Sequence, residues 1–485
     1  MTEEATTATA KPASKTDVLL AGIREGRTMT RRQQAELLVR LSLPSMLGQI
    51  ATILMSYIDA SMVGRLGANA SASVGLVTTS IWLFAGVCSA LTMGFSVQVA
   101  HLIGANDMEG ARSVLRQALI TALVFGCIVG CAGIAVAPFL PIWLGGGAEI
   151  QADSAAYFTI FSLVLPVLQL EILASGMLRC SGNIKFPSLL NVFMCGFDVI
   201  FNFFFIYATR HVSFLGLDIV IPGAGLGVTG AALGTACAEL LTAVILVYYL
   251  LWRSPLLKIF GPHRKPWSDF RPTKKVIKKA LRIGTPMGIQ HLAMSSAQIL
   301  TTMIVAPLGT FSIAAHSFGI TAESLCYLPG YGIQDAATTL VGQSYGAERK
   351  PLAKQFAYIA VVLGIAIMTL MSILLYFGAP FMMSVFTPVQ EIIDLGTGAL
   401  RIEAFAEPMF AASIVAYGCC VGAGDTLKPA AINLCSMWGV RLTLAFCLVS
   451  FAGMGLNGVW TAMAIELTFR GIIFLIHLGR GKWLK

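Results

Sequence analysis

Long apolar stretches recur along the whole chain, each about the 20 residues a helix needs to cross a ~30 Å hydrocarbon layer, with short polar breaks between them. They predict twelve membrane-spanning helices, near 41–63, 72–98, 113–137, 155–177, 186–208, 226–250, 280–305, 313–341, 355–378, 397–418, 430–451 and 456–478. The polar segment 1–40 lacks the apolar core of a cleavable signal peptide, so the amino terminus is expected in the cytoplasm. A basic, proline-containing stretch, 251–279, separates the sixth span from the seventh, and a short tail, 479–485, follows the last.

Composition agrees with this pattern. The 485 residues are 56% hydrophobic and 12% charged, whereas soluble domains carry roughly 25% charged residues. Lys and Arg number 33 against 24 Asp and Glu, a net +9. Position explains the excess: 29 of the 33 lie on one side of the predicted topology, the exceptions being Arg65, Arg210, Arg401 and Arg441. Positive-inside bias then places both termini and every second loop in the cytoplasm. The charge orients the chain and gives no reason to expect a nucleic-acid partner. Arg401 and Arg441 are expected within the membrane. The 11 cysteines have no C-x-x-C spacing and an odd total, which favours buried small hydrophobes over a disulfide frame or metal site.

The chain also repeats itself. Pro44 matches Pro286, Leu66-Gly67 matches Leu308-Gly309, and Gly104-Ala105 matches Gly346-Ala347, all 242 positions apart. Gly182, Pro187 and Asn191 meet Gly424, Pro429 and Asn433 at the same offset. After the fifth span it falls to 228, where Gly225 and Gly230 meet Gly453 and Gly458. The difference is a longer outer loop around Arg210 to Gly223. Six spans per half make the halves parallel repeats about an axis along the membrane normal, with substrate expected between them. The expected organisation is a half at 41–250 and a half at 280–478, joined by the 251–279 linker.

Particular residues then carry a resemblance. Pro44, Ile58-Asp59, Val63-Gly64-Arg65-Leu66-Gly67, Val305-Ala306-Pro307-Leu308-Gly309, Ala314-Ala315-His316, Leu328-Pro329-Gly330-Tyr331-Gly332, Leu340-Val341-Gly342-Gln343 and Gly422-Ala423-Gly424-Asp425-Thr426 resemble the multidrug and toxic compound extrusion (MATE) family, in its prokaryotic NorM/DinF-like branch. The likeness runs from about residue 36 to 478. It implies an all-α, two-lobed, V-shaped fold of twelve helices. It also implies efflux of organic, often cationic, compounds across the plasma membrane (the inner membrane in bacteria) in exchange for H⁺ or Na⁺.

Ionisable groups inside a membrane are costly, so each asks for a partner or a task. Asp59 sits about 18 residues into the predicted first span, and its repeat counterpart is Thr301. Asn191, Asp198 and Asn202 share one face of the fifth span; the counterparts of Asp198 and Asn202 are Val440 and Leu444. These acids thus belong to one half only. With Thr235 of the sixth span they make an all-oxygen set suited to Na⁺, while an apolar cavity favours the neutral acid, so the same set could hold H⁺. The resemblance implies a cation site at Asp59 and an Asn/Asp pair on the fifth helix; here the order is Asp198 then Asn202, the reverse of that expected for this branch. The alternative is a buried pair that only fixes helix packing.

In the second half Glu323 and Glu407 lie near mid-membrane, as does Arg441. They form either a second proton or substrate-cation site or a neutralised Arg441–carboxylate pair. His291 titrates near neutral pH in principle. Tyr57, Met294, Tyr327, Tyr331 and Tyr417 are candidates to line a drug-binding surface, since desolvated cations favour aromatic faces. Pro166, Pro286, Pro329 and Pro408 lie within or at the ends of spans, where kinks are expected.

Other classes fit poorly. Gly225-Leu226-Gly227-Val228-Thr229-Gly230 satisfies G-x-G-x-x-G but is expected to follow an outer loop, not a strand. There is no nucleotide-binding G-x-x-x-x-G-K-[ST] loop, hence no direct use of ATP, and no hydrolase motif or enzyme-sized soluble segment. No cofactor is expected beyond the coupling ion. The partners are small organic molecules and the bilayer, and a monomer suffices. The chief rival is a lipid or lipid-linked oligosaccharide flippase of the same superfamily, which would need several basic residues in its cavity.

Overall fold

The computed structural model describes residues 14–214, 217–260 and 267–484. Lys11, Arg264, Lys265 and Lys485, counted in the charge argument, lie outside them, as does the side chain of Arg210. The described chain is almost wholly helical, in the order α1 (Lys15–Arg24), α2 (Arg31–Gly64), α3 (Ala68–Gly104), α4 (Met108–Val136), α5 (Leu140–Trp143), α6 (Ala148–Cys180), α7 (Lys185–Ile206), β1 (Ala208–Phe214), β2 (Leu217–Ala224), α8 (Gly227–Tyr248), α9 (Lys274–Val305), α10 (Thr310–Gly346), α11 (Lys350–Phe386), α12 (Gln390–Ala404), α13 (Glu407–Gly422), α14 (Leu427–Cys435), α15 (Thr443–Ser450) and α16 (Gly455–Gly479).

Every predicted span is met by helix, and α3, α6, α10 and α11 run several residues past the predicted bounds at both ends. Ten helices are long and apolar enough to cross a membrane, and the pair α12 and α13, bent by 57°, makes an eleventh. The predicted 397–418 span is therefore broken, with Pro408 in the first turn of α13, where a missing N–H costs nothing. The twelfth, α10, is as long as α3 at 37 residues but too polar to qualify on hydropathy. Its polar side chains, His316 and Glu323 among them, are buried in the protein.

The repeat is visible in the backbone. Gly67 and Gly309 precede α3 and α10 at φ 120° and 99°, and Asn106 and Glu348 both have φ 59°. Gly182 and Gly424, at φ 93° and 85°, turn the chain into α7 and α14. Each pair is 242 positions apart. Gly227 and Gly455, both at φ 57°, keep the later offset of 228. The fifth span of the second half passes through a π-helical segment, Ser436–Leu442; such bulges concentrate at functional sites. The extra outer residues of the first half are an antiparallel hairpin, β1 with β2. This corrects the loop expected before Gly225: a strand does precede the G-x-G-x-x-G run. It is half of an isolated hairpin and not of a parallel βαβ unit, so the dinucleotide reading still fails.

Residues 15–24 and 31–40, in the polar segment before the first predicted span, are helical. Ser14 and Asp17 cap α1, and Thr30 and Gln33 start α2 ten residues ahead of the predicted span. Leu20 and Ile23 of α1 join one core cluster with Leu37 and Leu41 of α2, Leu340 of α10, Phe356 of α11, Phe474 of α16 and Trp483 of the tail. Helix α1 and the tail at Trp483 thus lie at the same end of the bundle, and α1 packs where the halves meet. The described part of the 251–279 segment is likewise docked, with Leu257 and Ile259 buried in the first-half core.

Candidate functional site

The halves meet along two seams, α2 against α10 and α3 against α9. At the end that carries the termini they interlock. A Cβ on Gly104 would strike the Gln343 carbonyl and one on Gly346 the His101 carbonyl. His101 Nε2 lies 2.8 Å from the Gly422 oxygen, and Gln343 Nε2 donates to the Cys180 oxygen at 2.8 Å. Above this contact, Arg179 Nη1 is 2.8 Å from Asp335 Oδ2, which also accepts from Ser45 Oγ at 2.7 Å. The lock needs small residues on both helices, because only backbone-to-backbone approach brings these groups into register.

Beyond the lock, between the halves, lies a cavity of about 870 Å³. Its first-half wall includes Thr52, Trp82, Glu171, Asn191 and Glu239, and its second-half wall His291, Met294, Glu323, Tyr327, Arg441 and Arg470. Of the expected lining residues, Met294, Tyr327, Tyr331 and Tyr417 are there. Tyr57 is not: it faces the seam, donates to the Thr321 carbonyl at 3.0 Å and stacks near Phe386. Pro44, Pro166, Pro286, Pro329 and Pro380 all sit inside helices.

Asp59 and Asp198 of the first half come together around Asn202. Asn202 Nδ2 donates to Asp59 Oδ1 at 2.9 Å and to Asp198 Oδ2 at 2.9 Å, so one amide bridges two carboxylates from α2 and α7. Asp198 and Asn202 are fully buried, and Asp198 Oδ1 and Asn202 Oδ1 have no hydrogen-bond partner among the described residues. Thr235 of α8 lies close to Asp198. Next to it, Gly234 lets α8 approach α7 so closely that a Cβ would collide with Asn202 Oδ1. Asn191 does not join this group. Seven residues separate it from Asp198, about 10 Å of helix rise, and its Nδ2 instead donates to Thr52 Oγ1 at 3.0 Å in the cavity wall.

In the second half, Glu323, Glu403 and Glu407 are buried, and neither oxygen of Glu403 or Glu407 has a hydrogen-bond partner among the described residues. Arg441 pairs with none of them. Its Nη2 and Nε bind Glu466 Oε2 at 2.8 and 3.1 Å, and Arg470 Nε lies 3.3 Å from Glu466 Oε1, which also accepts from Ser436 Oγ. Sequence reasoning missed Arg470, counting it with the basic tail, although Glu466 four residues earlier is the helical spacing of a pair. Arg401, expected inside the lobe, is exposed and lies 5.4 Å from the Tyr376 ring. His291 lies against Gly86 on the α3–α9 seam and lines the cavity.

What this arrangement offers chemically is an unsaturated, all-oxygen carboxylate site in one half, a mixed-charge cavity between the halves, and an interlock at one end. The MatE family model matches residues 44–204 and 286–447, once in each half. A relative from Thermotoga maritima named "Probable multidrug resistance protein NorM" is 26% identical over 92% of this chain and 93% of its own length. Another of that name from Neisseria meningitidis serogroup B is 25% identical over 91% and 93%. Among solved structures, MATE in complex with MaL6 superposes with a TM-score of 0.86 at 23% identity, over 96% of this chain and 98% of that one. A MOP superfamily transporter from Pyrococcus furiosus, described as having a binding pocket of reversed polarity, gives 0.86 at 22% over 98% and 99%.

Proposed function

This chain belongs to the MatE family, and from that premise we propose that it is a secondary active antiporter, exporting organic and often cationic drugs or toxic metabolites in exchange for H⁺ or Na⁺. Drug efflux follows from its full-length relatives, named as multidrug resistance proteins. Antiport rests on one observation, the bridge from Asn202 to Asp59 and Asp198.

Asp198 is fully buried with one oxygen unsatisfied, close to the half-buried Asp59, and such an arrangement costs free energy unless a proton or cation joins it. Binding there draws α2 toward α7, and α2 is also half of the α2–α10 seam. The ion therefore acts on the surface along which the halves move. Coupling requires that ion and drug prefer different openings by about 1–3 kcal/mol. The face locked in this structure carries the termini; with positive-inside orientation it is cytoplasmic, and the structure corresponds to an outward opening. The protein then works as a monomer in the plasma membrane, with no resident cofactor and no ATP.

The flippase reading is weaker. The cavity arginines Arg179, Arg441 and Arg470 each lie against a carboxylate, Asp335 or Glu466, and form no open phosphate cradle. The experiment is uptake of ethidium into everted vesicles with a pH gradient and a Na⁺ gradient imposed separately. One gradient is expected to drive uptake; uptake under neither contradicts antiport.

A further inference from the structure

The first turns of α9 carry Lys274, Lys275, Lys278, Lys279 and Arg282, all exposed. No carboxylate of the described residues lies within 4 Å of any of their cationic groups. With 3.6 residues to a turn, the five fall within an arc of about 140° on one side of the helix. The other side is held by the protein. Ala280, Ile283, Gly284 and Met287 are buried there, a Cβ on Gly94 of α3 would strike the Ala280 carbonyl, and the Val276 oxygen accepts from Gln98 Nε2 at 3.2 Å. Farther along α9, Ile289, Leu292, Ile299 and Met303 are exposed, on the same side as Lys274, Lys278 and Arg282. Met294 and Gln298, which line the cavity, lie on the opposite side. The exposed apolar row therefore faces the lipid chains. At 32 residues α9 is about 48 Å long, well beyond the ~30 Å of hydrocarbon it crosses, so the basic row continues the lipid-facing stripe at headgroup level.

Orientation of the chain does not require this row. The positions in α2 that match Lys274, Lys278 and Arg282, 242 residues earlier, are Arg32, Glu36 and Arg40. There Glu36 pairs with Lys15 at 2.6 Å and with Arg40 at 2.9 Å, so part of the charge is already met within the protein. We infer that the basic face of α9 binds anionic phospholipid from the leaflet on the side of the termini. Lys274, Lys278 and Arg282 meet the phosphate, Lys275 and Lys279 flank it, and the acyl chains lie along Ile289 and Leu292. Clusters of four to eight Lys and Arg beside a membrane span attract anionic lipid, each cation adding about 1 kcal/mol near the surface. The apolar row makes a lipid, and not a free phosphate, the occupant that both parts of the face fit.

The test titrates the purified full chain, in a neutral detergent at low salt, with phosphatidylglycerol or with phosphatidylcholine of the same acyl chains. Lipid that binds the folded protein raises its unfolding temperature, and the half-saturating concentration is read from that rise. Phosphatidylglycerol is expected to half-saturate the wild-type chain at a concentration about tenfold below phosphatidylcholine. Raising the salt to about 1 M, where charges are screened beyond ~3 Å, is expected to bring the ratio near one. Lys274→Gln, Lys278→Gln and Arg282→Gln together are expected to do the same at low salt, while Lys274→Arg with Lys278→Arg keeps the preference. Arg32→Gln with Arg40→Gln, on the matching face of α2, is expected to leave it unchanged. A wild-type ratio near one at low salt, or one that salt does not move, overturns the inference whether or not the variants fold, and leaves the cations to orientation alone or to a soluble acidic partner. A preference that survives the triple substitution overturns it as well. So does soluble glycerol phosphate that raises the unfolding temperature as far as phosphatidylglycerol does, since the occupant is then a free phosphate.

Discussion

Arg179 Nη1 of the first half lies 2.8 Å from Asp335 Oδ2 of the second, in the floor of the cavity, with side chains 26% and 18% exposed. No other ion pair among the described spans joins the halves, and it is shielded enough to matter. Removing one partner of such a pair leaves the other charged and half-buried. We expect Asp335→Asn to cost the locked state about 1–2 kcal/mol, between the values for surface and buried pairs, and to shift the ratio of the two openings roughly tenfold. Distance measurements between spin labels on α4 and α11, at positions away from the cavity, check this. An unchanged distribution contradicts it.

The same lock depends on Gly346. A Cβ there meets backbone, the His101 carbonyl, and not the end of a side chain that could turn aside. Gly346→Ala is expected to destabilise closure by about 1–3 kcal/mol, as overpacking does, and to leave Gly346→Ala protein with the opposite opening more populated. Labelling of a cysteine placed at Thr339, in the floor, reports it as faster modification from the terminal side.

Buried acids in the second half are expected to divide by partner. Glu466→Gln leaves Arg441 and Arg470 without their carboxylate and is expected to lower stability by about 3–5 kcal/mol. Glu407→Gln removes a carboxyl whose oxygens have no hydrogen-bond partner among the described residues, and is expected to be nearly neutral. Thermal unfolding of the two variants in detergent separates them; equal losses contradict the assignment.

Gly234→Ala places a methyl group against Asn202 Oδ1 and so should displace the amide that bridges the two aspartates. Expected is loss of ion dependence of uptake with the protein still in the membrane, seen as a flat response to the imposed gradient.

Much of this was legible because it depends on spacing. The 242-position offset was read from prolines and glycines, and of these Gly67, Gly182, Gly309 and Gly424 hold positive φ at matched turns. Asp198 and Asn202 were paired by a four-residue step on one helix, and Asp59 was joined to them by the resemblance. Depth and face cannot reveal what a side chain turns toward. Asn191 shares a face with Asp198 yet is about two turns nearer the floor, and Tyr57 points into a seam that only the docking of the halves creates. Arg470 was hidden by its nearness to a basic tail, and its burial follows from Glu466. The hairpin, the π-helical segment and the bend at Pro408 leave no hydrophobic period that differs from that of the intact helix or loop expected there.

The account stands on Asp59 and Asp198 as the residues through which the ion acts. The direct measurement is gradient-driven uptake of ethidium into everted vesicles containing wild-type, Asp59→Asn or Asp198→Asn protein at equal amounts, with pH and Na⁺ gradients imposed in turn. Each substitution keeps the size of the side chain and removes its charge. Each is expected to abolish the gradient-driven part of uptake, at least tenfold, while downhill exchange of labelled ethidium across the same vesicles persists. Full gradient-driven uptake in both variants would contradict the account.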